Sequence, residues 1–192
     1  MDALALLTAD HNWVRGLFER FQAAQEADDT AAMAQLASTI VTELTVHTSI
    51  EEEIFYPATH DLSEDVGETV DEGVEEHHLV KILIDEITGL EPGDDAWVAK
   101  LSVLIENVEH HAGEEETELF PEVRSQLAAE DLERLGQRLD ARKGELGAPT
   151  LADTVDLTND QLHHLATEQA IPGRSSMAHD ELAATVSPGS TN

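Results

Sequence analysis

The sequence predicts an all-α protein: an antiparallel four-helix bundle of two helical-hairpin repeats, with a closing helix and a small C-terminal helix-loop-helix. Three observations carry this. Apolar residues recur at three- and four-residue spacing through four long stretches, with no sustained period-two alternation. Breakers separate the stretches by short or moderate connections, which makes consecutive helices antiparallel neighbours. The segment ELTVHTSIEEEIFYP, ending at Pro57, also returns 64 residues later as ENVEHHAGEEETELFP, ending at Pro121.

The first helix is expected from about Asp2 to Asp28. Its apolar seam reads Leu4, Leu7, Val14, Phe18 and Phe21, and His11 fills the one place missing from that spacing. The second follows an Asp29/Thr30 cap, runs from about Ala31 to Tyr56, and is expected to stop at Pro57. Its seam is Met33, Leu36, Ile40, Leu44, His47, Glu51 and Ile54. A third, from about Asp65 to Leu90, ends at Glu91-Pro92-Gly93; its seam is Val70, Val74, His77, Val80 or Lys81, Ile84 and Ile87. The fourth starts near Asp94/Asp95 and reaches Phe120, where Pro121 ends or kinks it; its seam is Leu101, Leu104, Val108, His111, Glu115 and Leu119. Ala129 to Leu146 then closes a domain spanning 1–145. In the repeat register His47 falls on His111 and Glu51 on Glu115, while Asp10-His11 falls near Glu76-His77.

Composition narrows the chemistry. The chain has 192 residues and no cysteine, which excludes disulfides, thiolate zinc sites, iron–sulfur clusters and cysteine nucleophiles. Its 41 acids stand against 10 Lys plus Arg, a formal net charge of −31, so it should repel nucleic acid and anionic membranes. No stretch is apolar enough to span a bilayer and the N-terminus lacks a basic n-region, so a cytoplasmic protein without a signal peptide is expected.

Each long helix thus aims a histidine, or a His–Glu pair about 40° apart on its surface, at the core. Buried carboxylates without counter-charge are costly, and no Lys or Arg shares these faces except, at most, Lys81. A dinuclear cation site resolves the conflict: neutral imidazoles donate nitrogen, and two carboxylates bridge the ions. The expected ligands are His11, His47, Glu51, His77, His111 and Glu115. Asp10 and Glu76 could orient adjacent imidazoles. His60, His78 and His110 lie off the seams, as do Glu52, Glu53, Glu114 and Glu116, and are expected at the surface or behind the ligands. Tyr56, the only tyrosine, lies about 180° from His47 on an ideal helix. It can be an additional ligand only if the helix distorts before Pro57, and is otherwise a packing residue.

The runs DH (10–11), HTSIEEEIFYP (47–57), EHH (76–78) and HHAGEEETELFP (110–121) resemble the hemerythrin-like, or HHE cation-binding, domain. The resemblance covers roughly residues 1–145. It implies a four-helix bundle holding two iron ions, bridged by oxo or hydroxo, that binds, senses or reacts with oxygen, nitric oxide or peroxide. The pattern departs from the oxygen-carrier members, which usually have five histidines: Lys81 stands four residues after His77, and the fourth helix carries His111 and Glu115. One imidazole is missing, which favours peroxide or nitric oxide chemistry over oxygen carriage. Catalase-like peroxide disproportionation is the expected reaction if the protein is an enzyme. The alternative is a non-enzymatic module reporting iron or oxygen status. Manganese stays open as the metal, and zinc fits less well because structural zinc favours closed tetrahedral sites.

After a linker at 146–156, residues 157–186 read as helix, turn and helix, and the tail 187–192 is expected to be disordered. The run from Gln161 to Leu182, above all IPGRSSM, resembles the small N-terminal module of the transcription terminator Rho. Arg174 is its single basic residue, so a protein partner is expected there rather than nucleic acid.

Overall fold

The computed structural model describes residues 1–148 together with Arg174 and Met177. Most of the expected linker, the rest of the helix-loop-helix at 157–186 and the tail lie outside the described residues. Four long helices form the bundle: α1 (Ala3–Glu26), α2 (Thr30–Ile50), α4 (Glu64–Thr88) and α5 (Asp95–Glu114). Side chains cap three of them at the expected starts. Asp2 accepts from Ala5 N at 2.9 Å, Asp29 from Ala32 N at 3.0 Å and Ser63 from Val66 N at 3.3 Å. No described helix is long and apolar enough to cross a membrane.

The second and fourth helices do not end at their prolines. A π-helical segment, Glu51–Phe55, follows α2 and leads into α3 (Tyr56–Thr59) and a 3₁₀ turn, His60–Leu62. Its repeat, Glu115–Leu119, follows α5 and leads into α6 (Phe120–Gln126). Tyr56 N donates to Glu51 O and Phe120 N to Glu115 O, five residues back in each case. The wider turn takes the carbonyl that a proline ring would strike out of its path, and the missing amide falls where the hydrogen-bond register changes. The helical path therefore continues through Pro57 and Pro121, correcting the expected stop.

The first π turn also shifts the seam that follows α2 by one residue, while Leu119 in the second is buried as expected. Ile54, expected in the core, is only half-buried, and Phe55 and Tyr56 are buried instead. On α4 the seam runs through Gly73 rather than Val74, which is exposed, and Val80 is buried while Lys81 is not.

The closing helix α7 (Ala129–Glu145) packs on α1 and α2. Gly136 permits the approach, since a Cβ there would lie 2.6 Å from the Met1 carbonyl oxygen. The apolar core falls into two clusters. One joins Trp13 to Ala24 of α1 with Met33 to Leu44, Val80, Ile87 and Trp97 to Val108. The other joins Ala3 to Leu7 with Val46 to Tyr56, Val66, Val70, Leu119 to Val123 and Leu132 to Leu139. The expected polar residues lie between these two layers.

Candidate metal centre

All six expected ligand residues are buried and converge. The Nε2 atoms form two pairs, His11 with His47 at 3.2 Å and His77 with His111 at 3.0 Å. A glutamate oxygen stands between the pairs on either side. Glu51 Oε2 lies 3.1 Å from His47 Nε2 and 3.3 Å from His77 Nε2. Glu115 Oε2 lies 3.3 Å from His11 Nε2 and 3.7 Å from His111 Nε2. Two donor groups result: His11, His47, Glu51 and Glu115, and Glu51, His77 and His111. Each hairpin supplies half of both carboxylate and imidazole sets, as the repeat requires.

Behind every imidazole stands a carboxylate. Nδ1 of His11 faces Glu116 Oε1 at 2.8 Å, and Nδ1 of His77 faces Glu52 Oε1 at 3.1 Å. Nδ1 of His111 faces Glu76 Oε2 at 2.7 Å, and Nδ1 of His47 faces Asp10 Oδ2 at 3.6 Å. A proton held on Nδ1 leaves the Nε2 lone pair turned inward for a cation. Glu76 thus orients His111 across its hairpin, and Asp10 faces His47 across the other without a hydrogen bond. Of the two places expected for Glu52 and Glu116, at the surface or behind the ligands, they take the second: one residue round from a seam position, each is half-buried against an imidazole of the neighbouring helix. Cations brace these acids. Arg15 grips Glu116 at 2.8 and 3.2 Å, and Lys81, itself exposed, grips Glu52 at 2.6 Å. Lys81 therefore serves an outer acid and is no counter-charge to the buried glutamates. His60 pairs with Asp61 at 2.8 Å and His110 with Glu114 at 3.3 Å, both at the surface, and His78 is exposed.

The π turn brings Tyr56 into the site. Its hydroxyl donates to Glu115 Oε1 at 3.0 Å and lies 3.5 Å from His111 Nε2, and its ring stacks on His77 at 5.5 Å. Gly73 makes the room, because a Cβ there would stand 2.9 Å from that hydroxyl. Phe120, the repeat equivalent of Tyr56, stacks on His11 at 5.9 Å. The two halves therefore differ by one hydroxyl. The sequence marks Tyr56 only through the proline beside it.

The electrostatics fit a cation. Both oxygens of Glu51, Oε2 of Glu115, Oδ2 of Asp10 and Nδ1 of His47 are buried without a hydrogen-bond partner. Burial, reinforced by the neighbouring Glu115 charge, raises the Glu51 pKa well above the carboxylate range. Burial would lower His11, but its bonds to Glu115 and Glu116 outweigh it and raise it to about 10. His47 has no such excess of acceptors, and burial takes it down to about 4. Burial also pushes the Tyr56 phenol well up, with Glu51 and Glu115 adding to the effect. Unpartnered buried carboxylates among nitrogen donors are the environment that a divalent or trivalent cation satisfies.

The sequence matches the family described as the hemerythrin HHE cation-binding domain over residues 2–123. The chain belongs to this family. A DNA nickase of Nostoc sp. (strain PCC 7120 / SAG 25.82 / UTEX 2576) is 27% identical over 146 residues, covering 76% of this chain and 40% of that protein. The chain thus spans about two fifths of that relative's length. No solved structure matches the chain. The family match ends before α7, so the residues that α7 adds to this hemerythrin HHE domain lie outside it.

Proposed function

We propose that this hemerythrin HHE domain holds two non-haem iron ions, bridged by an oxo or hydroxo group, and that the centre binds, senses or reacts with small oxidants. His11 and His47 would hold one ion and His77 and His111 the other, with Glu51 and Glu115 shared. Glu51 carries the reading: a carboxylate with 0% exposure and two unpartnered oxygens, set between two imidazole pairs. Tyr56 is included as an additional ligand on the His77–His111 side, a reading supported by its contacts to Glu115 and His111.

Bound iron supplies Lewis acidity and a two-electron store. The protein's own contribution is to shape and dry the site. Val14, Phe18, Leu44, Val108 and Ala112 wall the side bordering His11 and His47, where the cavity is about 10 Å³. That is roughly the room a single water needs, so this packing keeps bulky molecules away from the centre on that side. Glu52, Glu76 and Glu116 hold the Nδ1 protons of His77, His111 and His11, and Asp10 faces that of His47. In the enzymatic form, catalase-like peroxide disproportionation is the reaction proposed.

Elemental analysis of protein expressed with added iron, together with its absorption spectrum, tests the proposal. Two irons per chain with near-ultraviolet bands of bridged ferric ions are expected. A chain that takes up no metal on reconstitution overturns it. Oxygen release from peroxide no greater than a free-iron control would remove the catalytic form.

A second reading is a module that reports iron or oxygen status to a protein partner through residues 157–186. Met177 supports it, because it lines the same surface groove as Glu116 and Phe120, which touch His11. DNA, suggested by the name of the cyanobacterial relative, is no part of the proposal, since a net charge of −31 opposes approach to a phosphate backbone.

A further inference from the structure

The repeat gives the two imidazole pairs similar surroundings, and besides the Tyr56 hydroxyl a second residue breaks the match. Lys143, near the end of α7, is only 7% exposed and bonds Asp10 Oδ1. The other Asp10 oxygen is left facing His47 Nδ1 at 3.6 Å, and Asp10 is itself buried. In the second hairpin Glu76 takes the place of Asp10. It bonds His111 Nδ1 at 2.7 Å, and among the described residues no buried cation braces it; His110, exposed, stands 3.9 Å away.

We propose that Lys143 is a positioning residue for the His11–His47 half of the centre: it holds Asp10 so that a carboxylate oxygen stays turned on His47, and thereby makes the two metal positions unequal. The proposal rests on the dinuclear reading above.

Four observations support it. A buried ion pair adds little net stability, so stability alone does not account for a lysine in this place. The ammonium takes one Asp10 oxygen and leaves the other facing His47 Nδ1, both atoms being without a hydrogen bond in the metal-free site, so a small movement of Asp10 completes the orienting bond a ligand imidazole uses. This is the one of the four Nδ1–carboxylate contacts that lies outside hydrogen-bond reach, so how Asp10 is held decides whether it closes. Finally, α7 is fixed independently at the spot. Gly136 seats it against the Met1 carbonyl, and Arg142 reaches Glu53 within the first π turn at 2.8 Å.

The test is a Co²⁺ titration of the full metal-free chain, followed by cobalt absorption and by metal counted at saturation. Wild type is expected to bind two ions. In Lys143→Met one of the two is expected to bind about ten- to a hundred-fold more weakly, with the other unchanged. Asp10→Asn is expected to reproduce the selective loss, and if Lys143→Met does not fold, Lys143→Gln, which keeps a polar head at the same place, decides the matter. Glu76→Gln is expected to weaken the opposite ion, so that Lys143→Met combined with Glu76→Gln weakens both. Two ions bound with curves superimposable on wild type, or weakened equally at both positions, overturn the role of Lys143 while leaving the dinuclear reading intact. A wild-type chain that binds no cobalt overturns both.

Discussion

Glu51 and His11 carry opposite burdens in the metal-free site. Burial with Glu115 alongside raises Glu51, while acceptors at Glu115 and Glu116 overcome burial and raise His11 to about 10. Near neutral pH His11 holds a proton that a cation must displace, and burial biases Glu51 toward holding one as well, so binding is coupled to proton release. Metal affinity is expected to rise about tenfold per pH unit for each proton released, and the His11 share ends as pH passes about 10. In the metal-free chain, the stability owed to His11 is present below its unfolded pKa and is lost as pH rises through about 10. Cobalt titrations between roughly pH 6 and 9 in weak buffer check this; affinity flat with pH and no released protons would contradict it. Tyr56→Phe copies the ring already present at Phe120, so the fold and the metal count should survive. What should vanish is a visible phenolate-to-iron band. Gly73→Ala drives a methyl against the Tyr56 hydroxyl and should cost about 1–3 kcal/mol in denaturant unfolding while weakening the same band.

At the scale of elements, the two π turns decide what could be read in advance. His11, His47, His77, His111, Glu51 and Glu115 were legible because each interrupts an apolar seam at helical spacing, and the repeat doubles the signal. Glu52 and Glu116 stayed open between the surface and a place behind the ligands, and Tyr56 between ligand and packing residue, because spacing arguments assume about 100° per residue and do not show where that changes. A π turn adds a residue to one helical turn, and every position after it moves round the axis. The same shift moved the core from Ile54 to Phe55 and carried the helix through Pro57. Gly73, rather than Val74, lies on the α4 seam because Tyr56 occupies the space that a side chain would need. Deleting the exposed Glu53 removes the extra residue and should let the helix close as α with Phe55 and Tyr56 still on their present faces. The iron-loaded deletion protein should then keep the visible band and the metal count; a lost band would show that the tyrosine's place depends on the π turn itself.

At the scale of the whole molecule, a strip of acids and imidazoles separates two apolar clusters, inside a chain whose net charge is −31. Metal supplies the positive charge that the middle of the bundle lacks, so chelation is expected to lower the melting temperature. Metal at a hundred times its dissociation constant stabilises by about 2.7 kcal/mol per independent site. Added salt should recover part of the loss by screening the surface acids, and none of the part owed to buried Glu51 and Glu115. Calorimetry with and without chelator, at low and high salt, separates the two contributions. A melting temperature indifferent to chelation would mean that the centre does not hold the bundle together.

Each hairpin brings a His, a His–Glu pair, two orienting acids and a π turn. Two identical half-length chains, joined about a two-fold axis, would build the same cage without any of the remaining sequence. Such a homodimer would be forced to place the same aromatic residue on both sides and to give both ions the same outer partners. Joining the halves in one chain removes that constraint: a hydroxyl sits on one side alone, and a lysine from beyond the repeat reaches the other.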